Sequence, residues 1–458
     1  MDTAQDIAGT TASSRFSPAE LAARTLHRRA VEAVIWGIPI VNTDLMYQAA
    51  VKAGAGPNQI VYWSRLFGWQ NQTLTPNPDS IYFMPFYDTK AGPIVLEIPP
   101  AEGGTITGSL MDYWQAPLED VGPAGVDKGK GGKYLILPPG YQAPIPDGYI
   151  PMPSLTYVGY ALLRSILKSG SQADLAAAVA YGKTIKLYPL ANAANPPETT
   201  LVDAIDVIFD AVIPYDLCFF QSLARMVEAE PWIDRDRAMI DTLRTLGIEK
   251  GKPFKPDTAT GKALETAAQE AQAWFDDRYE TTYAPYNDGP HWFPPADKEL
   301  LDAASIGFTG ADSYPLDSRG TTYYFAFSGL KHMGAGQFYL FTCRDKDGDP
   351  LDGGKTYRLR VPVNPPVHQY WSATAYDFVT HALIRDTDWS SRSSNTPGLQ
   401  ANGDGSVDVF FGPEAPAGKD SNWVPTKAGG RFEGLFRFYG PDKPLFDKTW
   451  VLPDIEKN

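Results

Sequence analysis

Thr75-Pro76-Asn77-Pro78-Asp79-Ser80-Ile81-Tyr82 gathers an amide, a carboxylate and a phenol on one short loop stiffened by two prolines. Such a loop, leading straight into an apolar strand, can hold polar groups in fixed positions. Asn77 offers a donor and an acceptor, Asp79 a general base, and Tyr82 a phenol that can assist it. Asn and Asp beside Pro are also ordinary turn formers, and Asp79 can bond its own backbone. A second carboxylate, Asp112, lies inside the aromatic stretch Leu110-Met111-Asp112-Tyr113-Trp114. A lone buried charge is costly, so Asp112 either pairs with an arginine or faces a pocket. A carboxylate whose pKa is raised by an apolar pocket can serve as acid or base near neutral pH. Trp63, Trp69, Trp114, Trp371, Tyr376 and Trp423 stand near polar loop residues, where flat rings could wall a ligand site or simply fill cores.

The elements that must position these groups can be read from periodicity. Ser17-Pro18-Ala19-Glu20 opens a helix: Ser17 caps it, Pro18 suits its first turn and Glu20 completes a capping box. This helix is predicted to reach Trp36 and to stop at Gly37 and Pro39, with a second short helix over 42–52. From 59 to 149 the period drops to two, and 80–87, 93–98, 104–113 and 133–137 read as strands between Gly/Pro turns. Residues 150–285 read as helical, with candidates at 155–167, 171–185, 201–212, 216–227, 234–246 and 258–279. Strands return after 286, at 321–327, 338–343, 356–363, 369–376, 407–411, 432–439 and 449–452. This segregation predicts an α+β multidomain chain: two antiparallel β-sandwich, jelly-roll-like domains, with a helical N-terminal segment and a helical middle region. The expected divisions are a disordered leader at 1–16, N-terminal helices plus the first sandwich at 17–149, a helical region at 150–285 and the second sandwich at 286–458.

Composition narrows the partners. The chain of 458 residues has 40 Lys and Arg against 54 Asp and Glu, a net charge of −14. That sign repels nucleic-acid phosphates and anionic lipid, so neither nucleic acid nor membrane is an expected partner. No apolar run reaches the roughly 18–20 residues of a spanning helix, and the leader lacks the apolar stretch of a secretory signal. The protein is read as soluble and, as written, cytoplasmic, or as periplasmic or secreted if a signal peptide was trimmed. Cys218 and Cys343 sit among apolar residues and read as buried thiols. No GxSxG, HExxH, CxxC or P-loop pattern occurs, and the glycine pairs 54/56, 129/131 and 334/336 lack the third glycine of a dinucleotide fingerprint. His27, His291, His332, His368 and His381 show no metal-ligand spacing. Asp345-Lys346-Asp347-Gly348-Asp349 places hard oxygen ligands at alternate positions. Pro350 and Thr356 stand where a calcium-binding EF-hand needs Gly and a carboxylate, and Asp-Gly signals a hairpin, so a turn is expected. No cofactor and no metal is expected.

Longer segments carry a resemblance. Asn42 and Met46, TPNPDSIY (75–82), SLMDYWQAPLEDVG (109–122) and KYLILPPGY (133–141) together resemble the domain-of-unknown-function family DUF1254. YRLRVP (357–362), YWSATAYD (370–377), ANGDGSVDVFFGPEAP (401–416), NWVP (422–425), LFRFYGP (435–441) and KTWVLPDI (448–455) resemble DUF1214. The resemblance implies β-sandwich domains paired with a helical part, in a family whose members often carry a secretion signal. It places Asn77, Asp79, Tyr82, Asp112, Trp371, Tyr376, Asn422 and Trp423 in family-typical motifs, hence as candidate pocket residues. Where relatives often read Gly-Arg-Thr, this chain has Leu163-Arg164-Ser165, which adds Arg164.

The resulting expectation is a cofactor-free enzyme with hydrolase-like acid/base chemistry on a small, neutral or cationic, ring-bearing organic molecule. Asp79, Asp112 and Tyr82 would be catalytic, and Asn77, Arg164, Trp371, Tyr376, Asn422 and Trp423 would bind the ligand. The alternatives are a non-catalytic ligand-binding protein and a structural or surface assembly protein, with a homo-oligomer left open.

Overall fold

The computed structural model describes residues 15–327, 329, 331–332 and 336–458. The leader, except for residues 15 and 16, and Gly334 of the third glycine pair lie outside the described residues. Helix α1 (Pro18–Lys52) opens with the expected capping box: the Ser17 N–H donates to Glu20 Oε2 at 2.7 Å and the Glu20 N–H to Ser17 Oγ at 3.2 Å. It does not stop at Gly37 and Pro39. Pro39 has no N–H, so the Ile35 carbonyl loses its helical donor, which costs ~3 kcal/mol in a helix interior. Residues 33–44 are all buried, and burial on every side outweighs the missing bond. Gly320 packs against that freed carbonyl, so closely that a Cβ there would sit 2.9 Å from the oxygen.

Nine strands follow: β1 (Gln59–Tyr62), β2 (Asn71–Gln72), β3 (Ile81–Asp88), β4 (Ile94–Ile98), β5 (Ile106–Asp112), β6 (Pro117–Val121), β7 (Gly132–Leu137), β8 (Tyr149–Pro153) and β9 (Val158–Ser165). Helix α2 (Gln172–Gly182) and the short strands β10 (Lys186–Pro189), β11 (Leu201–Asp203) and β12 (Phe209–Asp210) come next. They lead into α3 (Leu217–Ala229), α4 (Met239–Thr245), α5 (Thr258–Thr281), α6 (Lys298–Ser305) and α7 (Leu316–Phe325). The remainder is β13 (Gln337–Thr342), β14 (Tyr357–Val361), β15 (Val367–Asp377), β16 (Ser391–Ser393), β17 (Val407–Gly412), β18 (Trp423–Pro425), β19 (Phe432–Pro441), α8 (Lys443–Phe446) and β20 (Glu456–Lys457).

Four expected elements change type. The helix at 155–167 is strand β9, whose unbroken apolar run is buried on both faces and so shows neither period cleanly. The helix at 201–212 is two short strands, because Asp203 and Asp210 turn their carboxylates onto the N–H groups of Ile205 and Val212. The strand at 321–327 is mostly α7, whose β-branched and aromatic residues are held helical by packing on α1 and α5. No strand forms at 449–452; Glu456 and Lys457 pair with β14 instead. Cys343 is buried as expected, but Cys218, in the first turn of α3, is exposed.

The architecture is mixed α and β with several sheets. The first sheet has the order β11-β1-β3-β9-β5-β6 and the second β10-β4-β7-β8. They share one core, in which Ile81, Phe83 and Leu163 meet Leu96, Ile136 and Leu187. A third sheet, β13-β19-β15-β16, and a fourth, β18-β17-β14-β20, share another around Trp371, Phe436, Leu359 and Val409. Pairing is mainly antiparallel, with parallel edge pairs β1–β11, β7–β8 and β17–β18 and a separate parallel pair β2–β12. The opposite faces of the first and third sheets both contribute to a larger interior built with α1, α3, α5 and α7. Because side chains alternate along a strand, Tyr82 and Leu162 on one sheet and Tyr376 and Leu435 on the other reach that same interior. No helix among the described residues is long and apolar enough to cross a membrane.

One carboxylate helps to set the strand that carries Arg164. Glu230, at the end of α3, accepts the N–H groups of Tyr157 at 2.6 Å and Val158 at 3.2 Å, at the start of β9. Burial pushes its carboxyl up to about 7, against those two donors. A raised carboxyl contributes stability that is complete below its ordinary 4.5 and is lost as the pH rises through about 7. Glu230→Gln is expected to remove that dependence, so the variant gains about 3 kcal/mol on the wild type between about pH 4.5 and about pH 8. Urea midpoints of the two proteins across this range are the measurement, and parallel profiles would refute it.

Candidate functional site

Sheet register assembles the site. Tyr82 and Arg164 are direct partners across β3 and β9. The Arg164 guanidinium lies 5.1 Å from the centre of the Tyr82 ring, and its Nε donates to the Tyr82 hydroxyl at 3.3 Å. In the third sheet, β19 runs between β13 and β15, so Arg437 stands between Tyr339 and Ser372, and Tyr439 between Gln337 and Tyr370. Alternation sends Phe436 and Phe438 into the core shared with the fourth sheet. Leu435, Arg437 and Tyr439 point the other way, toward the first sheet.

The proline-braced loop joins the two sheets. Asn77 Nδ2 lies within hydrogen-bonding distance of the hydroxyls of Tyr439 (2.7 Å), Tyr370 (3.0 Å) and Ser80 (3.2 Å), while its N–H donates to the Tyr82 hydroxyl at 3.2 Å. Thr75 has a left-handed φ of 35°, rare for a β-branched residue. Three bonds hold it: its N–H to the His381 carbonyl (2.6 Å), its hydroxyl to the Phe325 carbonyl (3.0 Å), and Arg437 Nη2 to its own carbonyl (2.8 Å).

Between the sheets lies a cavity of about 360 Å³. Its lining includes Tyr82, Arg164, Tyr339 and Arg437 together with apolar residues such as Leu300, Leu301, Ala304, Phe308 and Phe327. A second cavity of about 250 Å³ shares Arg164 and Gln337 with the first and is lined also by Asp120 and Tyr439. Burial opposes the charge on Arg164, but the hydroxyls of Tyr82, Tyr339 and Tyr439 outweigh it and hold its pKa above the ordinary arginine value. Arg437 is raised in the same way, against burial, by Tyr376, Tyr439, Tyr339 and Tyr82. Burial pushes the Tyr439 phenol up, yet Arg164 and Arg437, with hydrogen bonds from Tyr339 and Asn77, bring it below an ordinary tyrosine. Tyr339 and Tyr370 are instead raised, chiefly by burial. The arrangement therefore offers one acidic phenol beside two guanidinium groups, a setting suited to proton transfer or to holding an anion.

The candidate residues divide by location. Asn77, Tyr82, Arg164 and Tyr376 come together in this network, Tyr376 donating to the Pro76 carbonyl at 2.6 Å. Asp79 is adjacent but turned aside: Ser391 Oγ donates to its Oδ2 at 2.5 Å, and its N–H donates to Asn77 Oδ1. Burial raises its carboxyl, against Ser391, Arg437, Ser393 and Arg392. Asp112 closes the β5–β6 turn by accepting the Ala116 N–H at 2.8 Å; burial raises it too, against Arg235, the Ala116 N–H and Arg319. Neither aspartate is among the residues lining either cavity. Trp371 stacks on Phe436 in the far core, Asn422 bonds the backbone of Gln400 and Asp408, and Trp423 donates to the Gly412 carbonyl. In the acidic turn, the Lys457 ammonium lies 3.1, 3.0 and 2.7 Å from Asp345, Asp347 and Asp349.

Arg437, Tyr339, Tyr370 and Tyr439 were not picked out by motif reading. The usable signal was Arg437 itself, the one charged residue between Phe436 and Phe438 in LFRFYGP. An alternating strand with a charge on its second face implies that this face meets something polar.

Comparisons with known proteins match two family models to the chain. A family model described as a protein of unknown function, DUF1254, matches residues 57–189, and one described as a protein of unknown function, DUF1214, matches 336–443. No curated protein matches. The chain is similar in fold to the VPA0106 protein from Vibrio parahaemolyticus, at 19% identity and a TM-score of 0.58, over 94% of this chain and 100% of that one. An uncharacterised protein from Burkholderia cenocepacia matches at 14% identity and a TM-score of 0.40, over 95% of this chain and 94% of that one. This chain thus carries the two families in tandem, DUF1254 followed by DUF1214.

Proposed function

We propose that the chain binds a small organic molecule in the chamber between the first and third sheets, and that acid–base chemistry falls to the Tyr439 phenol, which lines the adjoining cavity across Arg164, rather than to Asp79 or Asp112. The observation that carries this reading is a cavity of about 360 Å³ whose lining combines apolar side chains with tyrosine and arginine. Such a mixture of apolar wall and a few converging polar groups is what ligand sites are made of. The aspartates have protein partners and stand outside the lining, which argues against a carboxylate-driven hydrolase. As part of the same proposal, the sheet pairs that share cores are two β-sandwiches of jelly-roll type.

The test uses the neutral fluorophore phenylnaphthylamine, which brightens in apolar surroundings. The wild type is expected to bind it saturably. Ala304→Trp, which pushes a large ring in from the apolar part of the lining, is expected to weaken binding at least about tenfold while cooperative unfolding persists. Undiminished binding by a folded Ala304→Trp protein would refute the location.

A further inference from the structure

We infer that the ligand of this chamber is an organic carboxylate with an apolar body, its two oxygens seated on the Arg164 guanidinium. The inference rests on the ligand-binding reading above and names the chemical class. Arg164 is 7% exposed, and the hydrogen bond described for its guanidinium runs from Nε to the Tyr82 hydroxyl. Among the described residues it has no carboxylate partner, and it borders both cavities. A buried cation without a counter-charge is unfavourable unless something supplies one.

The nearby carboxylates do not supply it, and the single Tyr439 phenol is shared between two guanidinium groups. Asp79 is taken up by Ser391. Asp120 accepts from Ser109 Oγ at 2.6 Å and from the N–H groups of Lys331 and His332. Arg437 commits Nη2 to the carbonyls of Thr75 and Pro76 and the Tyr376 hydroxyl, and Nη1 to the Thr374 hydroxyl, so it adds positive field but no free two-nitrogen fork. The positive chamber runs against the net charge of −14 on the chain.

Each alternative ligand leaves something unmet. A cation would meet two guanidinium groups. A neutral apolar molecule would leave Arg164 unpaired, and a small inorganic anion would leave the apolar part of the lining unfilled. One free guanidinium fork matches the two oxygens of a carboxylate, whereas a phosphate dianion calls for more donors than Arg164 alone provides.

The experiment displaces phenylnaphthylamine from the full-length chain with decanoate, decanol or decyl phosphate at mildly alkaline pH. Decanoate is expected to displace the probe at a concentration about tenfold or more below that of decanol, the scale of a charge-assisted hydrogen-bonded pair. Arg164→Gln is expected to bring the two within about twofold. Equal potency of decanoate and decanol on the wild type, or a stronger effect of decyl phosphate, overturns the carboxylate assignment without need of any variant. An unchanged decanoate preference in folded Arg164→Gln overturns the role of Arg164. Failure of the wild type to bind the probe at all would instead refute the chamber as a ligand site.

Discussion

Arg437→Ala is expected to lower the unfolding free energy by about 3–5 kcal/mol, read as a shift in the urea midpoint at constant slope. The side chain is 1% exposed and donates to Thr75 O at 2.8 Å, Pro76 O at 3.3 Å, Thr374 Oγ1 at 3.0 Å and the Tyr376 hydroxyl. Removing it strips buried acceptors of their donor and enlarges a cavity, and both effects destabilise. It also releases one of the three bonds that hold Thr75 in its left-handed conformation, so the loop bearing Asn77 keeps its ties to Tyr370, Tyr376 and Tyr439 but loses one anchor to the third sheet. Arg437→Met restores length without donors and should recover only the packing part. A loss below about 1 kcal/mol for the alanine variant would mean that water entering the chamber replaces those bonds.

Glu433→Ala should have an effect of similar size, about 3–5 kcal/mol, in the same measurement. Glu433 is fully buried; its carboxylate faces His381 Nδ1 at 3.1 and 3.0 Å and accepts the Tyr279 hydroxyl. Alanine leaves two donors in the interior with nothing to receive them, and these donors belong to α5 and to the segment after β15. Glu433→Gln keeps the volume and one acceptor oxygen and should lose clearly less. Equal losses for the two variants would show that packing, not the carboxylate, matters there.

How much could be read beforehand follows from the range of the forces. Ser17 with Glu20 is a contact within one turn, and the capping box was legible. The loop 75–82 was legible as a rigid polar segment for the same reason, and Asn77 and Tyr82 do meet in the network. What escaped depends on register. Trp371 faces the far core, and in β15 it is its neighbour Tyr370 that meets Asn77, because adjacent residues on a strand point to opposite faces. Arg437 and Tyr339 are neighbours only through the pairing of β13 with β19, a contact across about a hundred residues that no local pattern encodes. Strand β9 was misread as helix because a core on each side removes the alternation that marks a strand.

The chamber has three contributors. Tyr82 and Arg164 come from the stretch matched by DUF1254, Tyr339 and Arg437 from that matched by DUF1214, and Leu300 and Ala304 from the helices between. A gene encoding either domain by itself would encode half a vessel. Fusion in one polypeptide then keeps the two halves at equal dose and in one orientation, and under the proposed binding role a change of ligand would have to be negotiated across both matched stretches and the connecting helices at once.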